Sequence, residues 1–494
     1  MELNLIQIEK NNISNMKVNE IINKSKKFDQ KNKKLIKESG VVFTDREICD
    51  RIISLINPNI NDIICEPSVG KGVFVFSLLE FFMQKYKIEE VASFFNEKLY
   101  CFDINNDFLS EFKQLVIEYF NIYGFDGHLS FEKILNDDFL IQDIDYDVII
   151  GNPPYVRIQN IEKEYLDRLK KELKSVSLGN IDLYYAFLEK SLLHSKKVGF
   201  IIPNSWIKNK SGSFIREILK DRIDTLIDFK NHKVWDKIST YTSIVICNEI
   251  KTDHINYQTK DIKINKSKSE LGKENWIFED LKCGNNKISG LVNYYSGGLA
   301  AIKDDVFKVN DLNENLCTKN NFEIEKSICK KYIKATTSRS FEEYNWIIYP
   351  YDEDGRVISE ENLINNFPLC YRYLKHREQD LLSRDKGKTE NYDSWYSYGR
   401  RQGLIKPAKG KRVILPLTFL RKKGIHIIEI PNGEDCLTLS GILVDVKFDK
   451  YDEFKEIINS DEFYKYCELN NKILSDKDDI WLSITTTTIK NFTF

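Results

Sequence analysis

Between about residues 40 and 250 the apolar positions fall into two alternating textures. Short runs such as IICEP (63–67), KLYCFDI (98–104), YDVIIGNP (146–153) and VGFIIPN (198–204) are almost continuously apolar, which predicts strands buried on both faces. TLIDF (225–229) and SIVICNEI (243–250) repeat that texture. Between the runs the spacing is helical. Thr44 stands as a cap before a helix from Asp45 whose Ile48, Ile52, Ile53 and Leu55 share an apolar face. Val73, Phe74, Phe76, Leu78 and Leu79 mark a second helix, and a third covers roughly 107–120. Strands alternating with helices predict an α/β fold with a largely parallel sheet. The last two runs follow each other with no clear helix between them, which predicts an antiparallel pair at the sheet edge.

Past about residue 255 the alternation stops, and segments become mixed and rich in aromatic and basic residues. Three regions follow: a polar arm over 1–39, an α/β domain over 40–270 and a second, mixed α+β domain over 271–494. A chain of 494 residues with 42% hydrophobic content can bury a core in each of two domains. The net charge of −2 names no partner by itself, so local charge must decide. Ten cysteines are scattered singly with no CxxC pair, so neither a zinc site nor a redox motif is expected. The first residues carry no secretory pattern, and no apolar run is long enough to span a bilayer. A cytoplasmic protein without membrane contact and without a metal is the expectation.

The sharpest chemical signal is Asn152-Pro153-Pro154-Tyr155, directly after YDVIIG. In open α/β sheets ligands bind at the carboxyl ends of strands. An exocyclic amine is a poor nucleophile because its lone pair is delocalised into the ring. Two acceptors aimed at its N–H bonds favour a tetrahedral nitrogen whose lone pair points at an electrophile. The Asn152 side-chain oxygen and the Pro153 carbonyl are those acceptors, the prolines fix the backbone, and Tyr155 offers a ring for stacking. Upstream, Glu66-Pro67-Ser68-Val69-Gly70-Lys71-Gly72 follows the first strand. Its glycines suit close approach of a ligand to the backbone, or a plain tight turn. It lacks the spacing of a phosphate-binding P-loop. Asp103, with Ile104 beside it, ends the second strand, where a carboxylate can accept two ribose hydroxyls or simply form a turn.

Asn-Pro-Pro-Tyr placed after these elements resembles the gamma class (Taq-type) of DNA adenine-N6 methyltransferases of restriction–modification systems. The resemblance covers residues 40–250 motif by motif and the C-terminal region more loosely. It implies a Rossmann-like S-adenosylmethionine-dependent methyltransferase domain followed by a DNA target-recognition domain. It assigns Glu66, Pro67, Ser68, Gly70 and Gly72 to the loop around the methionine part of S-adenosylmethionine. Asp103 goes to the ribose, Ile104 is a further cofactor contact, and Asp138-Phe139 go to the cofactor adenine, with Asp137 adjacent. Thr44 of GVVFT joins the methionine contacts, although Asp45 replaces the usual proline. Asn152 belongs to both the cofactor side and the catalytic motif. Trp235 takes the place of an aromatic that stacks on the extruded target base, beside Tyr155. Asp182–Phe187 and Ile202–Trp206 match two further blocks, read as mostly structural.

A base inside a duplex cannot reach such a site and must swing out, which calls for a second DNA-gripping surface. From Trp395 to Lys423 there are nine Lys or Arg and no acid. Arg400, Arg401, Lys409, Lys411, Arg412 and Lys422 are the candidate DNA contacts, with Tyr392, Trp395, Tyr396 and Tyr398 at the start of the stretch. The resemblance implies double-stranded DNA as partner, leaves room for a separate cognate restriction endonuclease, and suggests a monomer. The rivals are a fused restriction–methylation enzyme, for which Glu323-Ile324-Glu325-Lys326 is a partial nuclease match, a protein-glutamine methyltransferase, and a non-catalytic DNA-binding relative.

Overall fold

All six apolar runs form strands in a computed structural model, which describes residues 20, 21, 23, 44–177, 182–230, 240–273, 276–279, 284–387, 392–470, 473–476 and 479–494. The chain divides into two units, Met1–Phe278 and Glu279–Phe494. The first contains β1 (Ile64–Glu66), β2 (Leu99–Phe102), β3 (Ile134–Leu135), β4 (Tyr146–Gly151), β5 (Ser195–Pro203), β6 (Ile223–Asp228), β7 (Thr242–Cys247), β8 (His254–Gln258) and β9 (Lys263–Ser267). They form one sheet in the order β3-β2-β1-β4-β5-β7-β6-β8-β9. The run from β3 to β5 is parallel, and β7 is antiparallel to both β5 and β6. Chain order reverses at β1, which has β2 on one side and β4 on the other, so the ligand crevice of such a sheet opens at the ends of these strands.

The antiparallel β6–β7 pair is present, but it lies inside the sheet and not at its edge. A further hairpin, β8–β9, continues the sheet beyond β6. In β8 only Ile255 and Tyr257 are buried, on alternate positions. A strand covered on one face reads with period 2, which is why this stretch looked like a change of texture.

The apolar strands are buried on both sides, as their composition requires. In β4, Val148 and Ile150 join one core while Ile149 joins the other. In β7, Ile244 and Ile246 face the first core, and Val245 and Cys247 the second. The first core is closed by α1 (Arg46–Ile56), α2 (Val73–Met83), α3 (Ile88–Lys98) and α4 (Asn106–Ile122). The second is closed by α5 (Lys163–Leu169), α6 (Tyr184–Leu193) and α7 (Ser213–Arg222). In α1, Cys49, Ile52, Ile53 and Ile56 are buried at helical spacing. Thr44 does not cap this helix. Asp45 holds the cap position, with no capping bond from its side chain, and the Thr44 hydroxyl is engaged elsewhere. α4, by contrast, is capped by the Asn105 side chain, which accepts from the N–H groups of Asp107 and Phe108.

The second unit is mixed α+β. Val292–Gly297, Gly441–Val446, Lys411–Pro416 and Ile428–Glu429 make one sheet. A six-stranded sheet includes Cys329–Lys334 and Asn345–Ile348, with the helix Pro368–His376 packed on its Phe322–Glu325 strand. Here Glu325 is structural. Its carboxylate accepts the N–H groups of Leu369 and Cys370 at 2.8 Å each, capping that helix. Lys326 pairs with Asp311 at 2.6 Å. Two of the three charged groups of the partial nuclease match are therefore spent on the fold, while Glu323 is exposed.

Candidate active site

A cavity of about 830 Å³ opens at the carboxyl ends of β1, β2 and β4, within the range of small-molecule sites. Its floor is the loop after β1. Gly72 ends this loop with φ +88 and begins α2. A Cβ there would sit 2.3 Å from the Phe112 ring, so glycine is needed for both backbone and space. Gly72 thus lies behind the cavity, whereas Glu66, Pro67, Ser68 and Gly70 line it. Lys71 pairs with Glu111 of α4 at 2.5 Å.

Two carboxylates dominate the floor. Asp103 ends β2. Its Oδ2 accepts the Gly70 N–H and its Oδ1 the Asn105 N–H, each at 2.8 Å. A carboxylate offers about four acceptor positions, so two remain for a ligand. Burial pushes the Asp103 carboxyl above its usual range, and the two N–H donors oppose that shift. Glu66 is 2% exposed. Neither of its oxygens has a donor at bonding geometry. Burial holds this carboxyl well above its usual range, with the Ser68 N–H opposing and the Asp103 charge adding. It packs against the end of β4 so closely that a Cβ at Gly151 would lie 2.3 Å from Glu66 Oε1.

Asn152 follows Gly151. Its Nδ2 donates to Thr44 Oγ1 at 3.0 Å, and its backbone carbonyl accepts the Ser68 hydroxyl at 3.1 Å. Thr44, Asn152 and Pro154 line the cavity, while Pro153 is buried. Tyr155 is half-buried, does not line the cavity, and donates its hydroxyl to the Ile201 carbonyl at 3.2 Å. Its ring meets Tyr184 edge-on at 6.2 Å.

At the far side, Ile104, Asp138 and Phe139 line the same space. Ile104 is an apolar side chain left 77% exposed there. Asp138 is half-buried and the neighbouring Asp137 exposed. Asp138 Oδ1 accepts the Leu140 N–H at 3.0 Å, and Oδ2 accepts the Tyr165 hydroxyl at 2.6 Å. Phe139 stacks on Phe187 at 5.7 Å. Sequence reasoning missed Ile161, Glu162 and Tyr165, and it read Leu183 and Phe187 as mostly structural, yet all five line the cavity. Trp206 of the other block is core, donating to Ser243 Oγ at 3.3 Å. Trp235, expected as a stacking residue, lies outside the described residues.

In the second unit the basic stretch does not present one uniform face. Arg412 is 5% exposed and is bonded to the Glu434 carbonyl and the Asp435 carboxylate. It is a structural residue and not the expected DNA contact. Tyr396 and Tyr398 are likewise buried in the core. Arg384 fastens this turn by donating to the carbonyls of Trp395, Ser397 and Ala301 at 2.7–3.2 Å. Lys411 pairs with Glu429 at 2.7 Å. Arg400 and Arg401 are exposed and pair with Asp385 at 3.1 Å and Asp393 at 3.5 Å. Lys409 and Lys422 are exposed. Among the described residues no helix is long and apolar enough to cross a membrane.

A sheet whose parallel part reverses its order at β1 and continues through an antiparallel β7, with a cavity at the reversal lined by acids and a backbone loop, has the form of a methyltransferase-type Rossmann fold. Residues 80–235 match the model of the Eco57I restriction-modification methylase family. Among curated relatives, the Type II restriction enzyme and methyltransferase RM.Eco57I of Escherichia coli is 24% identical over 361 residues, 58% of this chain and 36% of that protein. The Type II methyltransferase M.HindII of Haemophilus influenzae is 27% identical over 405 residues, 70% of this chain and 68% of that one. Among solved structures, the DNA complex of the Type IIL restriction–modification enzyme MmeI has the same fold, with a TM-score of 0.59 at 12% identity, over 90% of this chain and 64% of that one. The chain thus spans about a third of RM.Eco57I and about two thirds of the other two.

S-adenosylmethionine is the cofactor of this fold, and the residues present fit it. The buried Glu66 carboxyl, near the Ser68 N–H but with no donor at bonding geometry, suits a cationic ligand that would favour its ionised form. The two remaining acceptor positions of Asp103 suit a ribose, and the exposed Ile104 suits a flat apolar ring.

Proposed function

We propose that this chain is a site-specific DNA methyltransferase acting on the N6 amino group of an adenine swung out of double-stranded DNA. The observation that carries the reading is Asn152, tethered by Thr44 at the end of β4 and opening on the cavity lined by Glu66, Asp103 and Asp138. When bound, S-adenosylmethionine supplies a methyl group made electrophilic by its sulfonium. The chain's own work is to orient the amine. Asn152 Oδ1 accepts one amino N–H and the Pro153 carbonyl the other, which draws the nitrogen toward tetrahedral geometry and turns its lone pair to the methyl. Thr44, by holding Nδ2, turns Oδ1 the opposite way. Glu66 lies at the cationic end of the cofactor, Asp103 at its ribose and Asp138 at its adenine. Tyr155 provides a stacking surface for the target base. Extruding that base costs about a few kcal/mol, and exposed cations of the second unit, Arg400, Arg401, Lys409 and Lys422, offset it by gripping phosphates. Long-read sequencing of DNA from cells expressing the chain tests this: N6-methyladenine in one recurring sequence context supports it, and unmodified adenines contradict it.

A second reading, a fused restriction–methylation enzyme, is favoured by the similarity to RM.Eco57I. Incubating DNA with the purified chain, magnesium and cofactor distinguishes the two. Cleavage at fixed positions supports the fused enzyme, and methylated but intact DNA supports the methyltransferase alone.

A further inference from the structure

The helix α5 follows the Asn152–Tyr155 segment and carries one side chain to the far wall of the cavity. Tyr165 donates its hydroxyl to Asp138 Oδ2 at 2.6 Å, the short distance of a bond to a charged acceptor. The Leu140 N–H holds the other oxygen, Oδ1, at 3.0 Å. Burial and the neighbouring carboxylate push the Tyr165 phenol above its usual range, so it remains a donor throughout the working pH. Asp138 is therefore fixed at both oxygens, and each keeps a lone pair that can accept but not donate. Resting on the reading of this cavity as the S-adenosylmethionine site, the geometry points to Tyr165 as a positioning residue. It locks the Asp138 carboxylate so that the pocket accepts a 6-amino purine and rejects a 6-oxo purine.

A ligand with an exocyclic amine meets the fixed acceptor with an N–H. A ligand with a carbonyl at that position brings two acceptors face to face. Sites built around a required hydrogen bond discriminate strongly against the analogue lacking it. Asp138 alone could turn about its side-chain bonds to relieve the repulsion. With Tyr165 and Leu140 in place, that movement breaks two bonds.

Calorimetric binding of S-adenosylhomocysteine and S-inosylhomocysteine to the full chain tests this without turnover. The wild type is expected to prefer the adenosyl ligand by about 100-fold or more. Tyr165→Phe keeps the ring and removes only the hydroxyl. It is expected to lose about 10-fold in adenosyl affinity and to narrow the preference. In an Asp138→Ala background the same change is expected to do little, since the two residues act through one contact. An unchanged affinity and preference in Tyr165→Phe, or an equal loss for both ligands, overturns the inference while leaving the cofactor site intact. Absence of adenosyl binding in the wild type overturns the cofactor reading itself, and this inference with it.

Discussion

Asn152 Nδ2 donates to Thr44 Oγ1 across 3.0 Å, joining residues 108 positions apart in the chain. A primary amide has a donor end and an acceptor end, and rotation by half a turn exchanges them. The tether therefore decides which end faces the target amine. Thr44→Val keeps the shape and removes the acceptor. It is expected to lower kcat by about 10- to 100-fold with a smaller effect on cofactor KM, and Thr44→Ser is expected to restore most of the loss. Steady-state methylation with a labelled methyl donor measures both constants. Equal kcat in wild type and Thr44→Val would show that the tether does not orient the amide.

Glu66 gives a prediction in stability. Its carboxyl is buried and held above its usual range, so the folded chain binds a proton that the unfolded chain releases. Between the unfolded pKa of about 4.3 and the raised folded value, stability falls as pH rises. Glu66→Gln removes that penalty. The variant is expected to melt higher than the wild type at pH 7.5, by about 2–4 °C per kcal/mol recovered. The gap should close as pH approaches 4.5. The same variant is expected to bind S-adenosylhomocysteine more weakly, a trade of stability against function. Thermal melts at both pH values, without ligand, check the sign.

How far the site was legible in the chain depends on where its parts lie. Asn152 and the Glu66–Gly72 loop follow strands buried on both faces, and such strands announce themselves as continuous apolar runs. Tyr165 does not. It sits on a seven-residue helix, KEYLDRL, that reads as a solvated turn, and its partner Asp138 is 27 residues away. Phe187 was read as core, and it is, yet it also lines the cavity. Thr44 precedes a helix in the manner of a cap, and only the fold reveals that its hydroxyl is taken by Asn152. The basic stretch misled for the same reason. The acids that neutralise Arg412 and Lys411 come from Asp435 and Glu429, outside the window in which none was visible. The β8–β9 hairpin escaped because a strand covered on one face carries half the apolar signal of one covered on both.

That difference between cations yields a prediction for the second unit. Lys409→Ala and Arg401→Ala, at exposed positions, are expected to weaken DNA binding across sequences and to reduce the salt slope by about 1 each. Arg412→Ala is expected to lower the melting temperature by removing a buried bonded cation, at a cost of about 1–3 kcal/mol, and to leave the salt slope unchanged. Binding titrations over a range of salt, paired with thermal melts, separate the two classes. A reduced slope with an unchanged melt in Arg412→Ala would return that residue to the DNA surface.

The central claim is that the cavity beside Asn152 delivers a methyl group to the N6 of adenine. Its most direct measurement is mass spectrometry of nucleosides from DNA incubated with the purified chain and isotopically labelled S-adenosylmethionine. Label is expected in N6-methyldeoxyadenosine with the wild type. Asn152→Ala is expected to give none while still binding S-adenosylhomocysteine. Label on cytosine, label on protein in place of DNA, or undiminished transfer by Asn152→Ala would contradict the claim.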